Sequence, residues 1–301
     1  MSSSRPQLRT LEEPPALISV VIPVRNGEPH IVEQLEALAG QSYRGAWELI
    51  VVDNGCRDRT IAIVESFRSR LPSLVIVNAA GRRGLGRARN AGASAARGDL
   101  LAYCDADDVA APDWLQALAD GAGQGDIVGG SNDFEALNND LQRAWERVRP
   151  MTSLNSGYAF LPYPSGGNCA IWANVAREIA WDERFMFGAS DIEFAWRAQL
   201  AGYRLAFVPD AVMRIRFRTH PVSIGRQHFR YGMSEPYLFR RFREQGMPPR
   251  DLAKTLRSWR WLVRNAVSHL ANPEDRGDWF RRAGASAGRL YGSLRWRVVY
   301  F

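Results

Sequence analysis

From Leu17 onward the chain alternates short, β-branched apolar runs with stretches of helical periodicity. Ile18-Ser19-Val20-Val21-Ile22-Pro23, Leu49-Ile50-Val51-Val52-Asp53, Leu74-Val75-Ile76-Val77, Leu100-Leu101-Ala102-Tyr103-Cys104 and Ile127-Val128-Gly129-Gly130 predict strands. Residues 28–38, 60–70, 87–97 and 112–119 predict the intervening helices, with Gly98 as the stop of the third. Near-continuous apolar strands must be covered on both faces, which implies a largely parallel α/β sheet. Such sheets bind ligands outside the carboxyl ends of their strands. Here the first strand runs into Arg25-Asn26-Gly27, the second into Asp53-Asn54-Gly55 and the fourth into Asp105-Ala106-Asp107-Asp108. Three strands thus deliver polar and acidic groups to one edge.

The acidic cluster after the fourth strand makes chemical sense if a divalent cation sits there with a phosphate-bearing ligand. Taken alone it also fits an ordinary Asp-rich turn. No G-x-x-x-x-G-K-[ST] occurs and no G-x-G-x-x-G follows the first strand, so neither a P-loop nor a dinucleotide site is indicated. Gly81-Arg82-Arg83-Gly84-Leu85-Gly86 is a basic glycine-rich turn whose amides could meet an anion or simply connect two elements. The three cysteines, Cys56, Cys104 and Cys169, form no metal or disulfide pattern and point to a reducing compartment. The first residues carry no apolar signal core, and no run approaches the length of a membrane span. The expectation is a cytoplasmic protein, soluble or peripheral at the inner face of the cytoplasmic membrane.

The motifs, in order, resemble the inverting nucleotide-sugar glycosyltransferases of family 2. Ser19-Val20-Val21-Ile22-Pro23-Val24-Arg25-Asn26 is similar to that family's opening strand. Val51-Val52-Asp53-Asn54-Gly55-Cys56-Arg57-Asp58-Arg59-Thr60 resembles its V-D-D-G-S-x-D-x-T segment, with Asn54 and Cys56 as departures. Gly86-Arg87-Ala88-Arg89-Asn90-Ala91-Gly92 resembles the stretch leading into the D-x-D. Gly166-Gly167-Asn168-Cys169-Ala170-Ile171 and Trp181-Asp182-Glu183-Arg184-Phe185 resemble two downstream elements. The resemblance implies a GT-A fold, a Rossmann-like nucleotide-sugar-binding unit with a mostly parallel central sheet, in a transferase domain over 17–232 divided into a nucleotide-sugar half (17–130) and an acceptor half (131–232). Outside it lie a tail over 1–16 and an extension over 233–301, whose helical and basic character is read from periodicity and charge.

By the same resemblance, Asp53 would bind the nucleotide base, Pro23 and Arg25 would line its pocket, and Arg89, Asp105 and Ala106 would contact the donor. Asp107 would ligate Mn²⁺ or Mg²⁺, with His220 as an additional metal or diphosphate contact. Gly167, Asn168, Trp181, Asp182, Ser190 and Arg230 would face the acceptor. Asp191 would be the base that takes the proton of the attacking hydroxyl. Ser190 stands where the family carries an acid before that base, which removes a charge that would raise the base's pKa. Ser190 and Asp191 also suit a plain helix cap, and Glu193 would either orient the acceptor or simply extend the first helical turn.

The implied function is metal-dependent transfer of one sugar from a UDP-, GDP- or dTDP-sugar to a hydroxyl acceptor. A degenerate nucleotide-sugar-binding scaffold and a sugar-1-phosphate nucleotidyltransferase are the competing readings; the latter expects a Gly-rich Arg/Lys signature after the first strand that is not present. Nothing resembles a nucleic-acid-binding motif.

Charge is unevenly distributed. Residues 214–301 hold 19 of the 39 Lys and Arg but only 6 of the 32 Asp and Glu. Leu252, Leu256, Trp259, Val263, Ala266 and Leu270 recur at helical spacing, with Arg250, Lys254, Arg257, Arg260 and Arg264 opposite. Trp279, Phe280, Leu290, Leu294 and Trp296 suggest a second such stretch. This basic region, 250–301, either packs on the main domain or rests on anionic lipid.

Overall fold

A computed structural model describes residues 14–81, 84–185 and 188–300. In chain order the strands are β1 (Ile18–Val24), β2 (Trp47–Asp53), β3 (Leu74–Asn78), β4 (Leu100–Cys104), β5 (Val109–Ala110), β6 (Ile127–Asp133), β7 (Asn168–Trp172) and β8 (Leu205–Arg214). The helices are α1 (Ile31–Ala39), α2 (Thr60–Ser66), α3 (Leu85–Ala95), α4 (Trp114–Gly121), α5 (Asp140–Glu146), α6 (Ala173–Ile179), α7 (Ser190–Leu200), α8 (Pro221–Phe242), α9 (Leu252–Arg264), α10 (Ala266–Ala271) and α11 (Pro273–Trp296).

The strands form one sheet in the order β3-β2-β1-β4-β7-β6-β8-β5. β1 lies between β2 and β4 and is parallel to both, with Val24 opposite Asp53. Every residue of β1 is buried, as expected for the middle of a sheet covered on both sides. β7 runs antiparallel between β4 and β6, and β8 returns parallel to β6. The polar ends of β1, β2 and β4 therefore share one edge. The two-residue β5, antiparallel to β8, lies directly after the acidic cluster and carries too short a signal to be read from sequence.

α1 and α2 are shorter than their periodicity predicts, and α3 and α4 keep the predicted length but are displaced by two residues, because tertiary contacts rather than propensity set helix ends. α3 ends at Ala95, and Gly98 is required for another reason. A Cβ there would sit 2.6 Å from the Leu17 carbonyl and from Ser19 Oγ. On α3 itself, Gly92 brings the helix onto the sheet, where a Cβ would lie 2.4 Å from a Val21 methyl.

The expected division at 232/233 falls inside α8, a continuous helix. α8 packs against α11 by backbone approach. Cβ atoms at Gly284 and Gly288 would each lie 2.1 Å from the carbonyl oxygens of Gly225 and Phe229, and one at Gly292 would lie 2.5 Å from that of Met233. α11 buries Ser286, Gly288, Gly292 and Ser293 along this seam, and Gly277 and Asp278 nearer its start, while Leu290 and Leu294 are exposed. α5 clamps the start of α11, where Trp145 Nε1 donates to the Pro273 carbonyl at 2.9 Å. A second aromatic cluster of Phe185, Trp196, Leu238, Phe242, Met247 and Tyr300 joins α7, α8 and the C-terminus. The predicted helix over 252–270 is broken at Asn265 into α9 and α10.

Candidate active site

Beyond the ends of β4 and β7 lies a cavity of about 350 Å³. Asp105, Arg89, Gly166, Gly167, Ser190 and Asp191 line it, together with Tyr158, Tyr163 and Tyr231. The sheet explains the convergence. Cys104 pairs with Asn168, so the residues after β4 and before β7 emerge side by side. The two glycines preceding β7 leave room for the Asp105 and Arg89 side chains as they stand. A Cβ at Gly167 would lie 2.6 Å from Asp105 Oδ2, and one at Gly166 would lie 2.7 Å from an Arg89 nitrogen.

Asp191 is held by backbone. Its Oδ2 accepts from the Gly166 amide at 3.1 Å and its Oδ1 from the Ile192 amide at 3.0 Å. α7 begins after Ala189, which has φ of 60° and caps without a side-chain hydrogen bond. Neither Ser190 nor Asp191 is the capping residue. Glu193 is fully buried and paired with Arg197 and Arg241 at 2.5 and 3.1 Å, which makes it structural, in keeping with the helical-turn reading.

Arg89 is almost completely buried. It donates to the Gly166 carbonyl at 2.8 Å and the Ser190 hydroxyl at 3.2 Å, lies 3.8 Å from Asp105, and stacks 4.4 Å above the Trp181 ring. Its Nε is buried without a partner. Trp181 lies beneath it, buried against Phe194.

The acidic loop is crowded. Burial pushes the Asp105 pKa up, and Asp107 and Asp191 push the same way against Arg89. Burial, then Asp105 and Asp107, drives Asp108 well above the usual carboxylate range. The segment after β8 folds over this loop: Arg216 donates from its backbone amide to Asp108 and from Nε to the Asp107 carbonyl, and Arg218 lies 3.4 Å from Asp107 Oδ2. Asp105 and Asp107 are partly exposed carboxylates, each facing one arginine, and a hard divalent cation takes one or two such carboxylates and completes its shell with substrate phosphate. Asp105 and Asp107 thus fit Mn²⁺ or Mg²⁺. His220 caps α8 through Nδ1, and among the described residues no three His, Cys, Asp or Glu side chains cluster as a ligand set.

The other expected residues divide between the site and the framework. Asp53 closes β2, and its Oδ1 accepts from the amides of Gly55 and Cys56, an Asx turn at the strand end beside Val24. Pro23 is buried in β1, Arg25 is exposed just beyond it, and Ala106 is buried against Gly27. These residues lie along the sheet edge, outside the cavity lining.

Asn168 is fully buried. Its Oδ1 accepts from Trp114 Nε1, and its Nδ2 donates to the carbonyls of Ser131 and Ala211. It ties β7 to β6, β8 and α4 and does not line the cavity. Asp182 pairs with Arg184 and Arg241, also away from it. Arg230 lines a different feature, an apolar groove of about 740 Å³ between α8 and α11. Its neighbour Tyr231 reaches the site instead. Arg82 and Arg83 of the glycine-rich turn lie outside the described residues.

Sequence reasoning missed Tyr158, Tyr163 and Asn155. All three come from 132–164, where a bridge between Asn155 and Tyr163 closes the loop. A run of aromatics there was the available signal, but nothing local places it opposite Asp191.

The Glycosyl transferase family 2 model matches residues 19–180, and the Glycosyl transferase family group 2 model matches 100–272. Glycosyltransferase AglE of Haloferax volcanii is 29% identical over 200 residues, covering 65% of this chain and 65% of its own. An undecaprenyl-phosphate 4-deoxy-4-formamido-L-arabinose transferase of Pseudomonas paraeruginosa is 36% identical over 136 residues, covering 44% of this chain and 38% of its own. The chain thus spans less than two thirds of these relatives. Among solved structures, the mannosyltransferase PcManGT of Pyrobaculum calidifontis superposes with a TM-score of 0.64 at 19% identity, covering 97% of this chain and 91% of its own. Residues 1–349 of TarS from S. aureus, in complex with UDP, give a TM-score of 0.53 at 20% identity, covering 94% and 93%. Both are GT-A glycosyltransferase structures, and the likeness extends to the mixed α/β layout described above. With more than half of its length matched by the family model, the chain belongs to glycosyl transferase family 2.

Proposed function

We propose that this protein transfers one sugar from a nucleotide-sugar to an acceptor hydroxyl with inversion, using Asp191 as the base. The observation that carries the reading is that Asp191 and Asp105 face one cavity while Arg89 and the two glycines hold both in place. An inverting transfer is a single displacement. The acceptor oxygen forms a bond to the anomeric carbon as the bond to the diphosphate oxygen breaks, and the hydroxyl proton passes to a carboxylate. Asp191 is oriented for this by the Gly166 amide, and the tyrosines opposite form a wall against which an acceptor ring can lie.

Donor recognition belongs to the adjoining sheet edge, with Asp53, Pro23 and Arg25 toward the base and Asp105, Ala106 and Asp107 toward the diphosphate. Asp107, with Asp105, would hold Mn²⁺ or Mg²⁺, which when bound offsets the charge of the departing diphosphate. Arg218, beside Asp107, adds a positive charge on the same side. The structural neighbours support this reading, since they are complexes with UDP, with UDP-GlcNAc, and with GDP-Man and Mn²⁺.

Calorimetric titration of UDP, GDP and dTDP, each with and without Mn²⁺, tests the reading against the wild type and Asp107→Asn. Binding of one nucleotide that needs both metal and Asp107 supports it. No binding of any of the three would leave a non-catalytic scaffold as the better account.

A further inference from the structure

We propose that α9 docks this protein onto an anionic lipid bilayer. The helix presents three distinct sectors. Thr255 and Leu262 are buried and Ser258 partly so, marking the side packed on the protein. At 3.6 residues per turn, Leu252, Leu256, Trp259 and Val263 fall in the next arc of about 60°. These four are 58%, 56%, 36% and 76% exposed. Beyond them come Arg260, Arg264, Arg257 and Lys254, all exposed.

The apolar stripe continues across the break at Asn265 to Val267, which is 85% exposed. The amphipathic pattern visible in the sequence is therefore real, but its apolar stripe lies between the packed side and the cations, open to solvent. Folding of this chain does not explain it, because the residues that bury α9 are Thr255 and Leu262. Apolar side chains left in water along a helix mark an interaction surface.

Charge decides the occupant. Neither α9 nor α10 carries a carboxylate, and the exposed Asp251 that caps α9 lies 3.9 Å from Arg257, so positive charge predominates beside the stripe. Two copies meeting stripe to stripe would be related by a two-fold axis. Where the two helices run antiparallel, such a contact brings one copy's arginine row against the other's, with like charges opposed. A bilayer surface containing acidic headgroups satisfies both sectors together. The leucines, tryptophan and valines enter the acyl boundary while the guanidinium groups meet phosphate, the arrangement of an interfacial helix. Arginine, which supplies three of these four cations, suits bidentate contact with phosphate.

Co-sedimentation of the full chain with phosphatidylcholine vesicles, with and without phosphatidylglycerol, tests the proposal by binding alone. It reads out whether or not the protein is an active transferase. The expected result is strong partitioning to the anionic vesicles. Leu256→Ser with Val263→Ser should abolish it, and Arg257→Gln with Arg260→Gln should weaken it by roughly fivefold per cation removed. All these side chains are exposed, so the variants should keep the wild-type melting temperature, and that is checked in parallel. Failure of the wild type to bind anionic vesicles, or unchanged binding by the Leu256/Val263 variant, would overturn the proposal. So would a concentration-dependent dimer in analytical ultracentrifugation that disappears in that variant.

Discussion

The Nη1 atom of Arg89 lies 3.2 Å from the hydroxyl of Ser190, the residue that directly precedes the proposed base. The same guanidinium reaches the Gly166 carbonyl, whose own amide binds Asp191, and it faces Asp105 across 3.8 Å. A single buried cation thus links Asp105, proposed for the donor, to the segment that carries Asp191, proposed for the acceptor. Because Ser190 is neutral, Asp105 is the carboxylate that balances it. Arg89 is therefore a positioning residue with contacts to both proposed roles.

Replacing Arg89 by Met should destabilise the fold by about 3 kcal/mol, since the Asp105 carboxylate and the Gly166 carbonyl lose their buried partner. Urea unfolding measures this. Arg89→Lys should recover part of the stability but not the geometry, because one ammonium cannot span Gly166, Ser190 and Asp105 in the guanidinium's planar fork.

Asp191→Asn keeps an oxygen for the Gly166 amide and should leave the fold and donor binding unchanged. Loss of a general base is expected to lower kcat by about 10²- to 10⁴-fold. A calorimetric Kd for the nucleotide measured beside the turnover rate separates the effects, and an equal loss in both would assign Asp191 to donor binding instead.

Asp182 makes stability depend on acid pH. Burial pushes its pKa up, but hydrogen bonds from Arg184 and the charges of Arg184 and Arg241 outweigh burial and hold it at about 2. An unfolded aspartate titrates near 3.9. The folded pKa is therefore depressed, so the contribution is fully present above about pH 4 and is lost as pH falls toward 2. Denaturant melts of wild type and Asp182→Asn at several pH values should differ at pH 5 and converge near pH 2.

Gly288→Val should separate α11 from α8. A Cβ at that position would sit 2.1 Å from the Phe229 carbonyl oxygen, which belongs to backbone and cannot turn aside. Removing a glycine from a helix gains at most about 1 kcal/mol in propensity. Overpacking costs typically about 1–3 kcal/mol and more where backbone must move. The clash wins, and the urea midpoint should fall. Gly202→Ala, at a site with no neighbour within 4 Å but φ of 100°, tests left-handed backbone strain alone and should cost less.

The alternation of strands and helices and the carboxylates at the strand ends were legible without coordinates. Asp191 was singled out through its register with Asp182, Glu183 and Arg197, and it lines the cavity. Those signals are local, because a buried parallel strand must be apolar along its length and must end where polar residues begin. The role of Asn168 was not legible. Its motif position predicts contact with an acceptor, yet its amide is consumed by Trp114, Ser131 and Ala211, partners distant in sequence.

The C-terminal layer shows the division most clearly. Composition and periodicity determined that 250–301 would be basic and helical, because helix period and charge are written residue by residue. They could not decide which face turns inward. In α11 the buried seam is glycine and serine, which carry little hydrophobic signal, while Leu290 and Leu294 point outward. In α9 the apolar stripe is exposed and Thr255 is buried. Only the tertiary structure settled these orientations, because close backbone approach depends on a missing Cβ opposite a particular carbonyl. That complementarity exists between two segments and in neither one alone.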